Sequence, residues 1–201
     1  MAFRHYYWFD TEIGRKIDKA GWDILREEDK SGAFSIEPSV EQYEKNCESA
    51  HGYNMWARKI LELKGISNKL FSIGCGKGIL EWNLKKIAGD TVNLTVSDYA
   101  SNGLERLKRV FTNCDNFCLF DMLGEDYSAI DKGATVIIFR CTTEITIRQF
   151  KYVFKKLSER GIEKVVFVPT EIISFKEGLR RYKVYLREII KGGAETNVLR
   201  L

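Results

Sequence analysis

This chain of 201 residues has little proline, little histidine and no long hydrophobic run. Only two prolines interrupt it, and His5 and His51 are its only histidines. No segment approaches the ~20 consecutive apolar residues of a membrane span. The aromatic and polar stretch over residues 1–8 lacks the apolar centre of a signal peptide. These absences exclude a membrane-spanning class and favour a globular, cytoplasmic protein.

The five cysteines are an odd number without paired spacing, which is not the pattern of a disulfide framework and indicates a reducing compartment. Cys114 and Cys118 lie four residues apart, but neither histidine is nearby and no second pair of cysteines exists. We therefore expect no metal site. The cysteines are interpreted as small buried hydrophobic residues.

The net charge of +4 hides an asymmetry along the chain. Residues 140–201 carry 14 basic against 7 acidic side chains, so the preceding part is slightly acidic. A helix predicted over residues 179–191 would present Arg180, Lys183, Arg187 and Lys191 as one basic stripe. This excess indicates either a solvated helix face or a surface for phosphate, nucleic acid or the periphery of a membrane.

Two regions differ in pattern. The first 65 residues are rich in aromatic and charged side chains and contain no convincing strand, and residues 40–63 have helical spacing with a break expected at Gly52. Gly65 is placed to end this helix. We predict an N-terminal helical cap or extension over residues 1–65 and a second domain over residues 66–201.

From Lys69 onward, short apolar runs alternate with helical patterns. Strands are predicted over residues 69–73, 93–97, 116–120, 135–139 and 164–168, and helices over 78–88, 101–111, 145–160 and 175–191. Such alternation implies crossover connections and a mostly parallel sheet with helices on both faces. The predicted fold class is a Rossmann-like α/β three-layer sandwich.

One motif stands where the first predicted strand turns into a helix, the segment Ser-Ile-Gly-Cys-Gly-Lys-Gly over residues 72–78. The G-x-G-x-x-G fingerprint of dinucleotide-binding proteins would need a glycine at position 79, which is Ile79. The spacing found, G-x-G-x-G, resembles the first motif of the class I S-adenosylmethionine (SAM) dependent methyltransferases. The resemblance covers about residues 63–191 and implies SAM as the cofactor.

The resemblance also implies roles for residues at the strand ends. Asp98 would accept hydrogen bonds from the ribose hydroxyls, with a cap for the next helix as the alternative. Tyr99 would pack on the adenine or simply in the core. Asp121 and the Met122 amide would contact the adenine edge, or Asp121 would only form a turn. The implied cofactor-binding set is Ser72, Gly74, Cys75, Gly76, Gly78, Asp98, Tyr99, Asp121, Met122 and Arg140. Replacing Asp98 is expected to weaken cofactor binding with little effect on fold stability.

The chain departs from the family pattern in two places. Ser72 stands where the family usually has an acid that helps to hold the methionine ammonium. Glu81 could compensate from the helix, or it could face solvent. The family also adds an antiparallel hairpin after the last helix, whereas residues 192–201 leave room for one strand at most. We therefore expect either a C-terminally truncated chain or a reduced sheet.

No catalytic residue is forced by the sequence. His51, Arg140 and Glu144 are candidates, and Arg140 could equally pair with Glu144. Cys141 lacks the Pro-Cys context of cytosine-C5 enzymes and is not expected to be a nucleophile. The predicted function is transfer of a methyl group from SAM to a small-molecule, lipid or glycan acceptor. The alternatives are an RNA or protein methyltransferase using the basic C-terminal half, and a non-catalytic SAM-binding or scaffolding relative. The oligomeric state is not predicted.

Overall fold

The computed structural model describes residues 19–28, 34–141, 145 and 147–169. Helices and strands alternate along most of this length. The helices are α1 (Lys19–Glu28), α2 (Val40–Ser49), α3 (His51–Leu61), α4 (Ile79–Ala88), α5 (Ser101–Val110) and α6 (Ile147–Glu159), with a 3-10 turn at Gly89–Thr91. The strands are β1 (Lys69–Ile73), β2 (Asn93–Asp98), β3 (Asn116–Leu119), β4 (Thr135–Phe139) and β5 (Lys164–Val168). No helix within these residues is long and apolar enough to cross a lipid bilayer.

The five strands form one sheet in the order β3-β2-β1-β4-β5, and every neighbouring pair is parallel. In the central strand β1, Ser72 lies between Val96 of β2 and Ile137 of β4. The strand order changes direction between β1 and β4, which creates a topological switch point beside the carboxyl end of β1. The Rossmann-like α/β fold predicted from the sequence is confirmed.

Alternate side chains of the strands pack into two apolar cores, one on each face of the sheet. Leu70 and Val96 face the core that is completed by α2, α3, α4 and α5. Phe71 and Val136 face the other core, which α6 covers together with the connection between β3 and β4. That connection contains turns but no helix, and its Ile130 is fully buried.

The helical region before the sheet differs from its prediction in one detail. The break falls at Ala50, which has φ −82° and ψ 60°, and not at Gly52, which lies inside α3. Asn83 of α4 donates from Nδ2 to the Cys47 carbonyl near the end of α2, so a tertiary hydrogen bond accompanies the break. Gly65 has a positive φ of 74° in the turn that follows α3.

The predicted boundary at residue 65 stays a prediction, although α2 and α3 are helical and pack in the same core as α4 and α5. The predicted helix over residues 175–191, with its basic stripe, lies outside the described residues. So does the candidate Glu144.

The loop between β1 and α4 has three glycines in the left-handed region, with φ of 68° at Gly74, 59° at Gly76 and 68° at Gly78. Gly78 is also tightly enclosed. A Cβ there would lie 2.9 Å from Leu107 Cδ2 of α5 and 3.0 Å from the Tyr43 hydroxyl of α2. Both backbone conformation and packing therefore favour glycine at this position.

We expect Gly78→Ala to destabilise the fold more than a control substitution that adds only backbone strain. Gly133→Ala is that control, because Gly133 has φ 82° but no atom within 4 Å of its Cβ position. Left-handed strain costs about 1–2 kcal/mol in both variants, and overpacking adds about 1–3 kcal/mol in Gly78→Ala alone. Urea unfolding measures the difference. Equal destabilisation of the two variants would show that the neighbours of Gly78 yield without cost.

Candidate functional site

The carboxyl ends of four parallel strands meet around the glycine loop. A Cβ at Gly74 would lie 3.2 Å from the Cβ of Cys141, just after β4, and 3.7 Å from the Cε of Met122, after β3. Asp98, the last residue of β2, contacts the loop from the other side. Ligands of open α/β sheets bind at this edge, near the switch point. The structure therefore brings together Gly74, Asp98 and Met122, which the sequence analysis placed in one site.

Backbone hydrogen bonds fix the conformation of the glycine loop. The Cys75 amide donates to the Ser97 carbonyl at 3.0 Å, and the Gly78 amide donates to the Cys75 carbonyl at 3.0 Å. Gly78 is the N-cap of α4 and, as glycine, has no side chain with which to cap the first turn. Free amides at a helix N-terminus favour a polar or anionic ligand group.

The Asp98 side chain is hydrogen-bonded to this loop and is buried, with 7% of its surface exposed. Its Oδ2 accepts from the Gly76 amide at 2.9 Å, and its Oδ1 accepts from the Ala100 amide at 3.0 Å. Asp98 is not the cap of α5, because Ala100 holds the N-cap position. A carboxylate offers about four lone-pair sites, so acceptor capacity remains after these two bonds. Both bonds hold backbone groups, so the structure gives reason to expect that replacing Asp98 lowers stability, in contrast to the prediction from the sequence.

Asp121 forms the turn that the sequence analysis kept as its alternative role. Its side chain is exposed, and its Oδ1 accepts from the Leu123 amide at 2.8 Å. Two tyrosines that the sequence analysis did not single out hold this turn. The Tyr127 hydroxyl donates to the Met122 carbonyl at 2.5 Å, and the Tyr152 hydroxyl donates to the Gly124 carbonyl at 3.0 Å. Tyr99, which follows Asp98, is half-buried.

Ser72 and Glu81 form a buried polar pair beneath the glycine loop. Ser72 is 1% exposed and Glu81 is 2% exposed, and the serine Oγ donates to Glu81 Oε1 at 2.5 Å. Burial raises the pKa of Glu81 to about 7, the negative charge of Asp98 acts in the same direction, and the hydrogen bond from Ser72 opposes both. The interpretation of Glu81 as a solvent-facing residue is therefore wrong.

The residues after β4 have unusual environments. Arg140 has a positive φ of 55°, which is uncommon for a residue with a side chain. Its amide donates to the Val168 carbonyl of β5 at 2.7 Å, while its side chain is exposed. Burial raises the pKa of the Cys141 thiol to about 12. Burial therefore disfavours the Cys141 thiolate, and the absence of a nucleophilic role for this residue stays a prediction.

Helix α3 directs aromatic rings, and not its histidine, towards the end of β4. His51 is the first residue of α3 and is exposed. The rings of Tyr53 and Trp56 lie 5.8 Å and 6.0 Å from the Phe139 ring, measured between centroids. Phe139 is the last residue of β4, so these three half-buried rings, here called the aromatic wall, pack against the core near the carboxyl end of that strand.

The segment around α2 holds the glycine loop from outside. The buried Tyr43 donates from its hydroxyl to the Lys77 carbonyl at 3.1 Å. The Lys77 ammonium forms an ion pair with the Glu37 carboxylate at 2.8 Å. The same carboxylate also accepts from the side-chain amide Nδ2 of Asn46 at 2.7 Å. The segment over residues 37–46 therefore contacts the glycine loop directly.

No family model and no curated protein matches the chain. Among solved structures, it is similar to the plantazolicin methyltransferase BpumL in complex with SAH, with 14% identity, 69% of this chain covered and a TM-score of 0.42. BpumL in complex with a pentazolic desmethylPZN analog and SAH matches with 16% identity, 71% coverage and a TM-score of 0.45. The chain spans about half the length of these structures, 52% in each case.

We expect Glu81→Gln to change how stability depends on pH. A raised pKa means that the folded state holds this proton more tightly than the unfolded chain, so wild-type stability falls as the pH rises from about 4.5 to above 7. Glutamine lacks this titration, so the stability of Glu81→Gln relative to wild type should grow between pH 5 and pH 8 by about 1–3 kcal/mol. Urea unfolding at several pH values measures it.

The control for this experiment is Glu105→Gln, because the Glu105 side chain in α5 is 61% exposed and pairs with Lys108 on the surface. The stability of Glu105→Gln relative to wild type should not grow comparably between pH 5 and pH 8. A stability difference for Glu81→Gln that stays constant from pH 5 to pH 8 would contradict the raised pKa.

Proposed function

We propose that the chain binds SAM at the carboxyl ends of β1, β2 and β4 and transfers its methyl group to a small-molecule, lipid or glycan acceptor. The observation that carries this proposal is the glycine loop itself. Its three left-handed glycines have no side chain that would separate a ligand from the backbone at these positions, and Asp98 holds Gly76 by a hydrogen bond at the switch point of the sheet. Their spacing is that of the methyltransferase motif.

The residues around the loop fit the parts of SAM. The lone pairs of Asp98 that remain after its two backbone bonds would accept from the ribose hydroxyls. The half-buried Tyr99 and the Met122 side chain near Gly74 would flank the adenine. The Asp121 turn, held by Tyr127, would offer its polar groups to the adenine edge.

Bound SAM supplies an electrophilic methyl group on a sulfonium, which a nucleophile displaces in line. What the protein contributes to such a displacement is proximity and alignment, with a base only where the acceptor must lose a proton. The protonated Cys141 thiol does not favour a methyl-cysteine intermediate, so we propose direct transfer to the acceptor. The aromatic wall of Tyr53, Trp56 and Phe139 supports an organic acceptor beside the end of β4.

Calorimetry with SAM, SAH (S-adenosylhomocysteine, its demethylated product) and NAD tests the cofactor. We expect saturable binding of SAM and SAH and at least about tenfold weaker binding of NAD, a difference of about 1.4 kcal/mol. NAD binding without SAM binding would overturn the proposal.

The acceptor class is tested separately with methyl-labelled SAM. Label should appear in small-molecule or lipid extracts in preference to RNA and protein fractions. Transfer to RNA that falls steeply with salt would favour the nucleic-acid alternative instead. SAM binding with no label transfer to any of these fractions would favour the non-catalytic alternative.

We expect Asp98→Asn to weaken SAM binding by about 1.5–3 kcal/mol, the range for a lost hydrogen bond to a charged group. The amide nitrogen cannot accept, so the bond from the Gly76 amide or the bond from a ribose hydroxyl is lost as well as the charge. Stability should also fall, by about 1 kcal/mol. Calorimetry and urea unfolding measure the two effects.

Asp126→Asn is the matched control for Asp98→Asn. The Oδ1 of Asp126 accepts from the Ser128 amide at 2.8 Å, the same local turn that Asp98 makes with Ala100, but in the exposed connection between β3 and β4. It should leave SAM affinity unchanged. If Asp98→Asn also leaves the affinity unchanged, the ribose is held elsewhere.

A further inference from the structure

We propose that Glu81, held in place by Ser72, supplies the negative charge that faces the ammonium group at the methionine end of SAM. This inference rests on the proposed function and deepens it by assigning a binding residue. Ser72 occupies the position at which the resembled family usually has an acid, and Glu81 lies in the first turn of α4. The acid is thus moved from the strand before the loop to the helix after it.

The geometry of the pair favours this role. Ser72 precedes the glycine loop and Glu81 follows it in the chain, and their 2.5 Å hydrogen bond joins β1 to α4 across the two ends of the loop. The Ser72 carbonyl also accepts from the Ser97 hydroxyl at 2.7 Å, which ties the pair to β2. The hydrogen bond to Ser72 therefore holds the Glu81 carboxylate in a buried position next to the loop.

Among the described residues, no cationic side chain forms an ion pair with Glu81, whereas Lys77 pairs with Glu37 and Lys85 pairs with Asp115. The negative charge of Asp98 acts in the same direction as burial and raises the pKa of Glu81. A buried carboxylate without a cation is costly, and a bound ammonium would offset that cost.

Lys85, one turn further along α4, shows the contrast within the same helix. Its ammonium is also buried, with 5% of the side chain exposed, but it pairs with Asp115 at 2.8 Å and donates to the Val92 carbonyl at 3.0 Å. The buried charge away from the glycine loop is thus neutralised by the protein. The buried charge at the loop is held by the neutral Ser72 hydroxyl and a backbone hydrogen bond, and by no cation among the described residues.

A ligand cation at this place would favour the ionised form of Glu81. Because burial raises the pKa of Glu81 to about 7, part of the free protein carries a proton there at neutral pH. Ligand binding should then release a proton near pH 7, and affinity should rise between pH 6 and pH 8.

The test compares SAH with 5′-methylthioadenosine, which keeps the nucleoside and the thioether but lacks the amino-acid part. In calorimetry at pH 7.5, Glu81→Gln should bind SAH about tenfold or more weakly than wild type and bind 5′-methylthioadenosine equally well. In buffers of different ionisation enthalpy at pH 7, wild type should release protons on binding SAH and Glu81→Gln should not. Glu105→Gln is again the matched control and should behave as wild type.

The double variant Ser72→Asp with Glu81→Ser returns the acid to the strand and should recover most of the SAH affinity. This rescue separates a role in charge from a role in folding. Equal weakening of both ligands in Glu81→Gln would show a merely structural role and overturn the inference, as would unchanged SAH binding. If wild type binds neither ligand, the proposed function itself fails, and the inference fails with it.

Discussion

The hydrogen bond from the Gly76 amide to Asp98 is the constraint on which the site depends. Three left-handed glycines have no side chains to hold their own conformation, and glycine loses more backbone freedom on ordering than any other residue. The loop therefore keeps one shape only because neighbours bind it from several sides. Asp98 holds it from β2, the Ser97 carbonyl holds Cys75, and Tyr43 of α2 holds the Lys77 carbonyl. The parallel register of β1 and β2 brings the first two together.

The second feature is that α4 buries a charged side chain in its first turn, Glu81, and another in its last turn, Lys85. Lys85 is neutralised by Asp115 where α4 leads away from the loop, whereas Glu81 at the loop has only Ser72 as its hydrogen-bonding side-chain partner among the described residues. An amphipathic surface helix would place such residues in water, but α4 lies between α2 and α3 on one side and the sheet on the other. Burial makes the ionisation of Glu81 sensitive to its surroundings near neutral pH. It also makes this residue responsive to a positively charged ligand.

Sequence patterns predicted the sheet closely. The bounds of β1, β4 and β5 agree with the predicted runs, because each is a short apolar segment bounded by turn or polar residues. The glycine spacing and Asp98 could be placed at one site because the carboxyl ends of parallel strands meet at one edge. The buried position of Glu81 was not predictable, since Leu80 to Lys85 are all buried and leave no polar face in the pattern. The hydroxyls of Tyr127 and Tyr152 were not predictable either, because each reaches a backbone carbonyl through tertiary contact.

The sequence by itself determined the alternation of strands and helices, the parallel sheet and the place of the glycine loop, because local periodicity and turn residues encode them. Only the tertiary structure decided which of those residues touch. It showed that Asp98 is hydrogen-bonded to the loop and is not a helix cap, and that Ser72 is hydrogen-bonded to Glu81. It also showed that the helical segment is interrupted at Ala50. The two hydrogen bonds each join different elements, and the break at Ala50 is accompanied by a hydrogen bond from Asn83 of α4, so these features depend on distances between elements. No local pattern contains such distances, because they follow from how α2, α3 and α4 pack on the sheet.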